Sequence, residues 1–226
     1  MNAPAPLRFA VLAADTALFT VRDRMLLVRA IRVRRAPHFP DNAGLPGGLI
    51  TPEETAEQAA RRHVEGKTGV SASKPHFEQL YTFSDIKRDP RGRVVAVAYI
   101  ALVSWEKLSE VERQDGNESY WLPVSRARKL AYDHDEILGL ALRRLRSRVR
   151  YTTLIGKLMP SEFTLTELEQ TYESILGKDL DKRNFRKKIL KLKVLKELPK
   201  KRYGGRSRPA HLYRFAHSKV EEIEVI

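Results

Sequence analysis

The apolar positions of this chain change period along its length. Near the N-terminus "ALFTV" (17–21) and "MLLVRAI" (25–31) are short apolar runs separated by the polar "RDR", predicting two strands joined by a turn. "FEQLYTF" (77–83) and "RVVAVAYIALVSW" (93–105) are rich in aromatic and β-branched residues, as strands should be. The polar "SDIKRDPRGR" between them reads as a hairpin connection. In "DHDEILGLALRRLRSRV" (133–149) the period becomes helical, with Ile137, Leu138, Leu140, Ala141, Leu142 and Leu145 largely on one face. These signals predict an α/β sandwich over residues 1–150. A parallel dinucleotide-binding sheet is excluded, since no Gly-x-Gly-x-x-Gly follows a strand.

From residue 151 to 226 the pattern is short helices followed by one hairpin. "YTTLIGKLM" (151–159) is apolar at helical spacing and ends at Pro160. "FTLTELEQTYESILG" (163–177) offers Thr164 or Thr166 as N-cap, acids in its first turn and Gly177 as its stop. "DLDKRNFRKKILKLKVL" (179–195) sets Phe185, Ile189 and Leu192 on one face and Arg or Lys on the other. "LKEL", a basic "KKRYGGRSRP" and "HLYRF" then read as strand, loop and strand. Three helices and a basic hairpin match a winged helix-turn-helix, whose third helix enters the major groove.

Charge sharpens this picture. The net +14 is concentrated, with thirteen Lys or Arg and one acid, Glu197, between Lys182 and Arg208. A basic stripe on a helix and its adjoining hairpin points to a polyanionic partner. At the N-terminal end of the third helix, Lys182, Arg183, Asn184, Arg186 and Lys187 lie within reach of base edges. Arg can bind guanine bidentately, Asn can bind adenine, and Lys more often meets phosphate. Lys200, Lys201, Arg202, Arg206 and Arg208 belong to the wing and are expected on phosphates or in the minor groove, with Gly204 and Gly205 turning its tip. Thr164 and Thr166 are candidates for further phosphate hydrogen bonds, with capping as their alternative role. A chain without cysteine has neither disulfides nor cysteine-ligated zinc, and fits a reducing cytoplasm. The N-terminus lacks a basic region ahead of an apolar stretch, so no signal peptide is expected. No run approaches the roughly 18 apolar residues of a membrane span, so no membrane partner is expected.

"GLPGGLITPEETAEQAARRHVEGKTGV" (44–70) carries the most specific signal. Gly48, Glu54, Arg62 and Gly69-Val70 stand in register with the signature of Nudix hydrolases, which this stretch resembles. In catalytic members three glutamates follow, falling here on positions 63, 66 and 67. Spacing of i, i+3 and i+4 places them on one helix face, where they gather a hard cation through oxygen. Here that face presents His63, Gly66 and Lys67. Glu65 cannot substitute, since two residues along a helix turn it about 200° from His63. The resemblance implies that Glu54 and Arg62 form the ion pair fastening the box loop to its helix. No metal site and no catalytic residue are expected, and no cofactor is required.

A Nudix-like α/β/α sandwich with a mixed sheet, lacking its acids and followed by a C-terminal winged helix-turn-helix domain, resembles the Nudix-related transcriptional regulators of NAD metabolism, the NrtR family. The resemblance extends through "RDPRGRVVAVAYIALV", "LAYDHDEIL", "PSEFTLTELEQTYESILGKDLDKRNFRKKIL" and "GRSRPAHLYRF". It implies a cytoplasmic homodimer, a repressor on a palindromic double-stranded DNA operator near NAD biosynthesis or salvage genes. It also implies ADP-ribose or a related nucleotide as effector in the former substrate cleft. Such a dianionic pyrophosphate must be met by cations and backbone N–H groups. Arg29, Arg88, Arg91, Arg93 and Lys67 are the candidates, with Phe83 or Tyr81 stacking on a base. Gly47 and Gly48 permit close approach of the backbone to the ligand.

Two other readings compete. One is an active ADP-ribose pyrophosphatase drawing its metal from outside the usual box, through Glu118, Glu57 or Glu65. Here "ESYWLPV" (118–124) resembles the loop that supplies an extra glutamate in some Nudix enzymes. The other is an RNA-binding Nudix homologue whose basic tail tracks phosphates without sequence preference.

Overall fold

The computed structural model describes residues 9–203 and 209–223 of the chain. Its elements in order are β1 (Val11–Arg22), β2 (Met25–Arg35), β3 (Phe39–Gly44), β4 (Gly47–Leu49), α1 (Ala56–Thr68), β5 (His76–Phe83) and β6 (Val94–Leu102). There follow α2 (Glu110–Arg113), β7 (Ser119–Pro123), α3 (His134–Tyr151), α4 (Leu165–Leu176), α5 (Lys182–Lys191), β8 (Leu195–Arg202) and β9 (Ala210–Phe215). Arg206 and Arg208, expected on the wing, lie outside the described residues, as do Gly204 and Gly205.

The first seven strands form one sheet with the path β3-β2-β1-β6-β5, β4 pairing with β1 and β7 with β2. β1 and β6 run parallel from Val11↔Val94 to Phe19↔Leu102, and the other pairs are antiparallel. The sheet is therefore mixed. Both faces of its central strands are buried, and their alternation sorts residues by side. Ala17 and Phe19 of β1 join Ala98, Ile100 and Leu102 of β6 in the layer that α3 covers. Ala14 and Leu18 join Tyr99 and Ala101 in the layer that α1 covers with Ala59, Ala60 and Val64. "ESYWLPV" is largely strand: Ser119–Pro123 pairs antiparallel with β2. The loop expected there is corrected by this pairing, which buries Trp121 against α1.

A second correction concerns "YTTLIGKLM". α3 continues through Tyr151, Thr152 turns extended at φ −140° and ψ 165°, and Thr153–Lys157 is a short 3-10 segment. The cause is local. Thr152 Oγ1 donates to the Arg148 carbonyl at 2.7 Å and accepts from Leu154 N–H at 3.2 Å, capping the break. Thr152 also bridges to Glu222, tying in the C-terminal tail. α4 begins at Thr164 with a reciprocal capping box to Glu167 and ends at Gly177, in the left-handed region at φ 69°. β8 and β9 pair as a two-stranded ribbon.

The division near residue 150 falls at the end of α3, but packing does not stop there. Leu145 and Val149 of α3 share one cluster with Leu154, Leu168, Tyr172, Phe185 and Ile189 beyond it. Parting these layers would expose side chains worth about 1.5–3 kcal/mol each. α3 thus serves both cores, and one helix links the sheet to the basic ribbon and helices.

Candidate functional site

Between β1, β2 and the box loop lies a cleft of about 390 Å³, and an adjoining cavity of about 380 Å³ extends it. The two share Arg34, Arg35, Arg91 and Tyr132. The floor of the cleft is the box. α1 starts from Thr55, whose hydroxyl accepts from Gln58 N–H while its own backbone N–H donates to Gln58 Oε1. Arg62 Nε donates to Glu54 Oε2 at 2.9 Å and its Nη2 to Glu54 Oε1, while Nη2 also reaches the Leu49 carbonyl at 3.1 Å. The guanidinium holds the Glu54 carboxyl well down, at about 2.

The two box glycines are required by contact. A Cβ on Gly47 would lie 2.0 Å from Asp15 Oδ1, and one on Gly48 would lie 2.7 Å from the His63 ring. His63 is buried beneath Gly48, and its Nε2–H donates to the Leu49 carbonyl at 2.9 Å. Burial pushes its pKa below the ordinary imidazole value, so it sits there neutral. A Cβ on Gly66 would meet open space. Lys67 turns into the cleft and donates Nζ–H to the Gly47 carbonyl. Desolvation against that loop, with repulsion from Arg35, Arg62 and Arg91, holds its pKa below the usual amine range.

The acids around the cleft are already committed. Arg88 donates to Asp133 at 2.7 and 2.8 Å and to Asp15 at 3.0 Å, with His134 Nε2 3.7 Å from Asp15. Burial alone would raise the Asp15 pKa, but His134 and Arg88 beside it hold it below its ordinary value. Asp89 is gripped by Arg91, and Glu118 accepts from Arg34 at 2.6 Å. A hard dication needs several uncommitted oxygens. Among the described residues no group of three or more His, Cys, Asp or Glu converges on one point. The donor set of this cleft does not fit such an ion.

The cleft lining is instead rich in cations. Of those expected to meet an anionic effector, Lys67, Arg88 and Arg91 line it, beside Gly47 and Gly48. Arg88, however, is occupied by two carboxylates. Arg29 is corrected: it is 3% exposed, donates to the Thr68 and Gln114 carbonyls at 3.2 Å and lies over Trp121. It closes the space beneath the end of α1, because the β2–β7 pairing sets Arg29 against Trp121. Arg93 is corrected too, clipping its own hairpin through the Ser84 and Asp85 carbonyls at 2.8 and 3.1 Å. Phe83 packs against the α3-side core, edge-on to Tyr81, and neither lines the cleft.

Arg32, Arg34, Arg35 and Tyr132 line the cleft and were missed by the sequence reading. The run "RVRR" ending a strand beside a loop was the available signal. Tyr132 sits at φ 58°, a conformation costly for an aromatic residue, wedged 4.5 Å from Phe39 and 5.3 Å from His134. Arg91 lies 5.6 Å above its ring.

The second site is the outer face of α5. Asp181 caps it by accepting from Asn184 N–H at 2.7 Å, while Phe185 and Ile189 anchor it to the core. Lys182, Arg183, Asn184, Arg186 and Lys187 are all exposed. Arg186 is steadied by Thr166, whose hydroxyl accepts from it at 2.9 Å. On the ribbon Lys201 is exposed, whereas Lys200 pairs with Glu162 at 3.1 Å and Arg202 with Glu167. Thr164 is buried with its hydroxyl in the α4 cap, so it is a capping residue and not a side chain offered to a phosphate.

Comparison with known proteins agrees with this two-part layout. Residues 10–141 match the NUDIX domain, and residues 155–215 match the NrtR DNA-binding winged helix domain. An ADPR responsive transcriptional repressor of Acinetobacter baylyi is 37% identical over 94% of this chain and 83% of its own. A Shewanella oneidensis NrtR solved in complex with a 27mer DNA is 33% identical with a TM-score of 0.79, covering 90% of this chain and 93% of that one. The NUDIX domain of that NrtR solved with ADP ribose is 32% identical with a TM-score of 0.54, covering 64% of this chain and 94% of that one. The chain belongs to the NrtR family, a Nudix domain joined to an NrtR DNA-binding winged helix domain.

Proposed function

We propose that this chain is an ADP-ribose-responsive transcriptional repressor, cytoplasmic and homodimeric, acting on a palindromic operator of NAD biosynthesis or salvage genes. The observation that carries the reading is Lys67: where a hydrolase would hold its metal, this helix extends an ammonium to the Gly47 carbonyl inside an arginine-lined cleft. A fixed cation there takes over the charge neutralisation of a diphosphate without supplying an activated water. Arg35 and Arg91 complete the cationic wall, and the Tyr132–Phe39 pair offers a stacking surface in the adjoining cavity. The two cavities together suit an elongated ligand with phosphates in the middle. The named relatives support ADP-ribose as that ligand and duplex DNA as the partner of the basic module.

On the DNA side, Arg183, Asn184, Arg186 and Lys187 face outward for the major groove, and Lys201 for the backbone. The test is calorimetry with ADP-ribose, with and without magnesium, followed by identification of the recovered ligand. Intact ligand bound without metal supports the sensor. Magnesium-dependent release of AMP overturns it in favour of the pyrophosphatase. Competition by random duplex as strong as by operator would favour the sequence-indifferent RNA-binding reading instead.

A further inference from the structure

We infer that Glu169 is a positioning residue for DNA reading, fixing the aim of Arg186; the inference rests on α5 being the groove-reading helix. Glu169 lies on α4 and is 1% exposed, yet it belongs to no capping box and neutralises no residue of its own helix. Its nearest cations both come from α5: Arg186 Nε at 3.8 Å from Oε2 and Lys182 Nζ at 3.9 Å from Oε1. Oε2 is buried without a hydrogen-bond partner. A carboxylate removed from water and short of hydrogen bonds is costly unless a cation stays beside it. Glu169 therefore holds the base of α5 to α4 through charge.

Arg186 shows what the contact achieves. Its Nη2 donates to Thr166 Oγ1 at 2.9 Å while Nε faces Glu169, so α4 constrains the guanidinium from two sides. The side chain remains 45% exposed. A guanidinium presents five N–H donors in a rigid fork, and these two contacts leave others directed to solvent. An Arg restrained in this way loses less rotamer freedom when it meets the paired acceptors of a guanine edge. An unrestrained Arg in the same place would serve phosphates and bases alike. Glu169 thus converts a general cation into a base reader, and its own charge disfavours non-specific attachment of the same face to DNA.

The test uses full-length protein and duplexes selected from a random-sequence library, with single-pair changes at the position that Arg186→Ala relaxes. In Glu169→Ala, discrimination at that pair should fall about tenfold, the range for one good bidentate contact. Affinity for random duplex should stay level or rise. Glu169→Gln keeps the shape without the charge and serves as the folding control, and it should lose discrimination in the same direction. The double variant Glu169→Ala/Arg186→Ala should be no worse than Arg186→Ala alone, since both act at one contact. Additive losses, or full discrimination in both Glu169 variants, overturn the role of Glu169 while leaving DNA reading intact. A wild-type protein with no sequence preference overturns the DNA reading itself.

Discussion

Replacing Arg88 with Ala tests the frame of the cleft beside the box. Its side chain is 3% exposed and makes three charge-assisted bonds, two to Asp133 and one to Asp15. Truncation leaves Asp15 in a buried site with His134 at 3.7 Å and the more distant Lys67 and Arg91 charges. Removing one partner of a buried ion pair costs about 3–5 kcal/mol. For a chain of this size that corresponds to a fall in melting temperature of roughly 6–20 °C. The pH dependence provides an internal check. In the wild type the Asp15 pKa is depressed, so its stabilisation is present above the unfolded value and is lost as pH falls through the folded one. Without Arg88 the burial penalty dominates and that pKa rises. The deficit of Arg88→Ala should therefore narrow as pH is lowered from about 7 toward 4, where the stranded carboxylate takes up a proton. Asp15→Asn in the Arg88→Ala background should recover part of the loss. Chemical denaturation across pH measures all three. A deficit below about 1 kcal/mol, or one that does not change with pH, would refute the account.

Three further outcomes follow from named contacts. Gly47→Ala places a methyl carbon 2.0 Å from Asp15 Oδ1 and should destabilise by about 1–3 kcal/mol while weakening ADP-ribose binding, read by melting and calorimetry. Arg183→Ala or Asn184→Ala should cost about 1–3 kcal/mol of operator affinity and relax preference at one base pair. Lys201→Ala should instead weaken all duplexes alike and flatten the salt dependence, and a sequence-selective loss there would contradict the sorting. Thr164→Ala should lower stability by about 1 kcal/mol through the lost α4 cap, with the salt slope of DNA binding unchanged.

The residues that could be placed from the chain alone are those whose role is local. Thr164, one of the two cap candidates in its segment, caps α4, and Gly177 ends it in the left-handed conformation that glycine tolerates. The Glu54–Arg62 pair joins residues eight positions apart and depends on one helix and its loop. Arg29 and Arg93 were misplaced for a different reason. An Arg in a strand reads the same whether it faces a cleft or plugs the end of a helix. For Arg29 the choice was made by the pairing of β2 with β7, and for Arg93 by two carbonyls in its own hairpin. The cleft arginines at 32, 34 and 35 depend on the irregular register between β2 and β3 at Val33 and Arg35, which period-2 alternation does not anticipate.

By itself the sequence determined the main strands of the sheet, the helix that carries His63, Gly66 and Lys67, and the concentration of positive charge on one helix and hairpin. These follow from residue identity and short-range spacing, because helix period, strand alternation and capping act over a few positions. Only the tertiary structure decided that Arg88 joins Asp15, 73 residues away, that α3 shares its buried face with both domains, and that Glu169 meets Arg186. Such contacts form between distant segments, and the burial that makes them strong exists only once sheet and helices have closed around them.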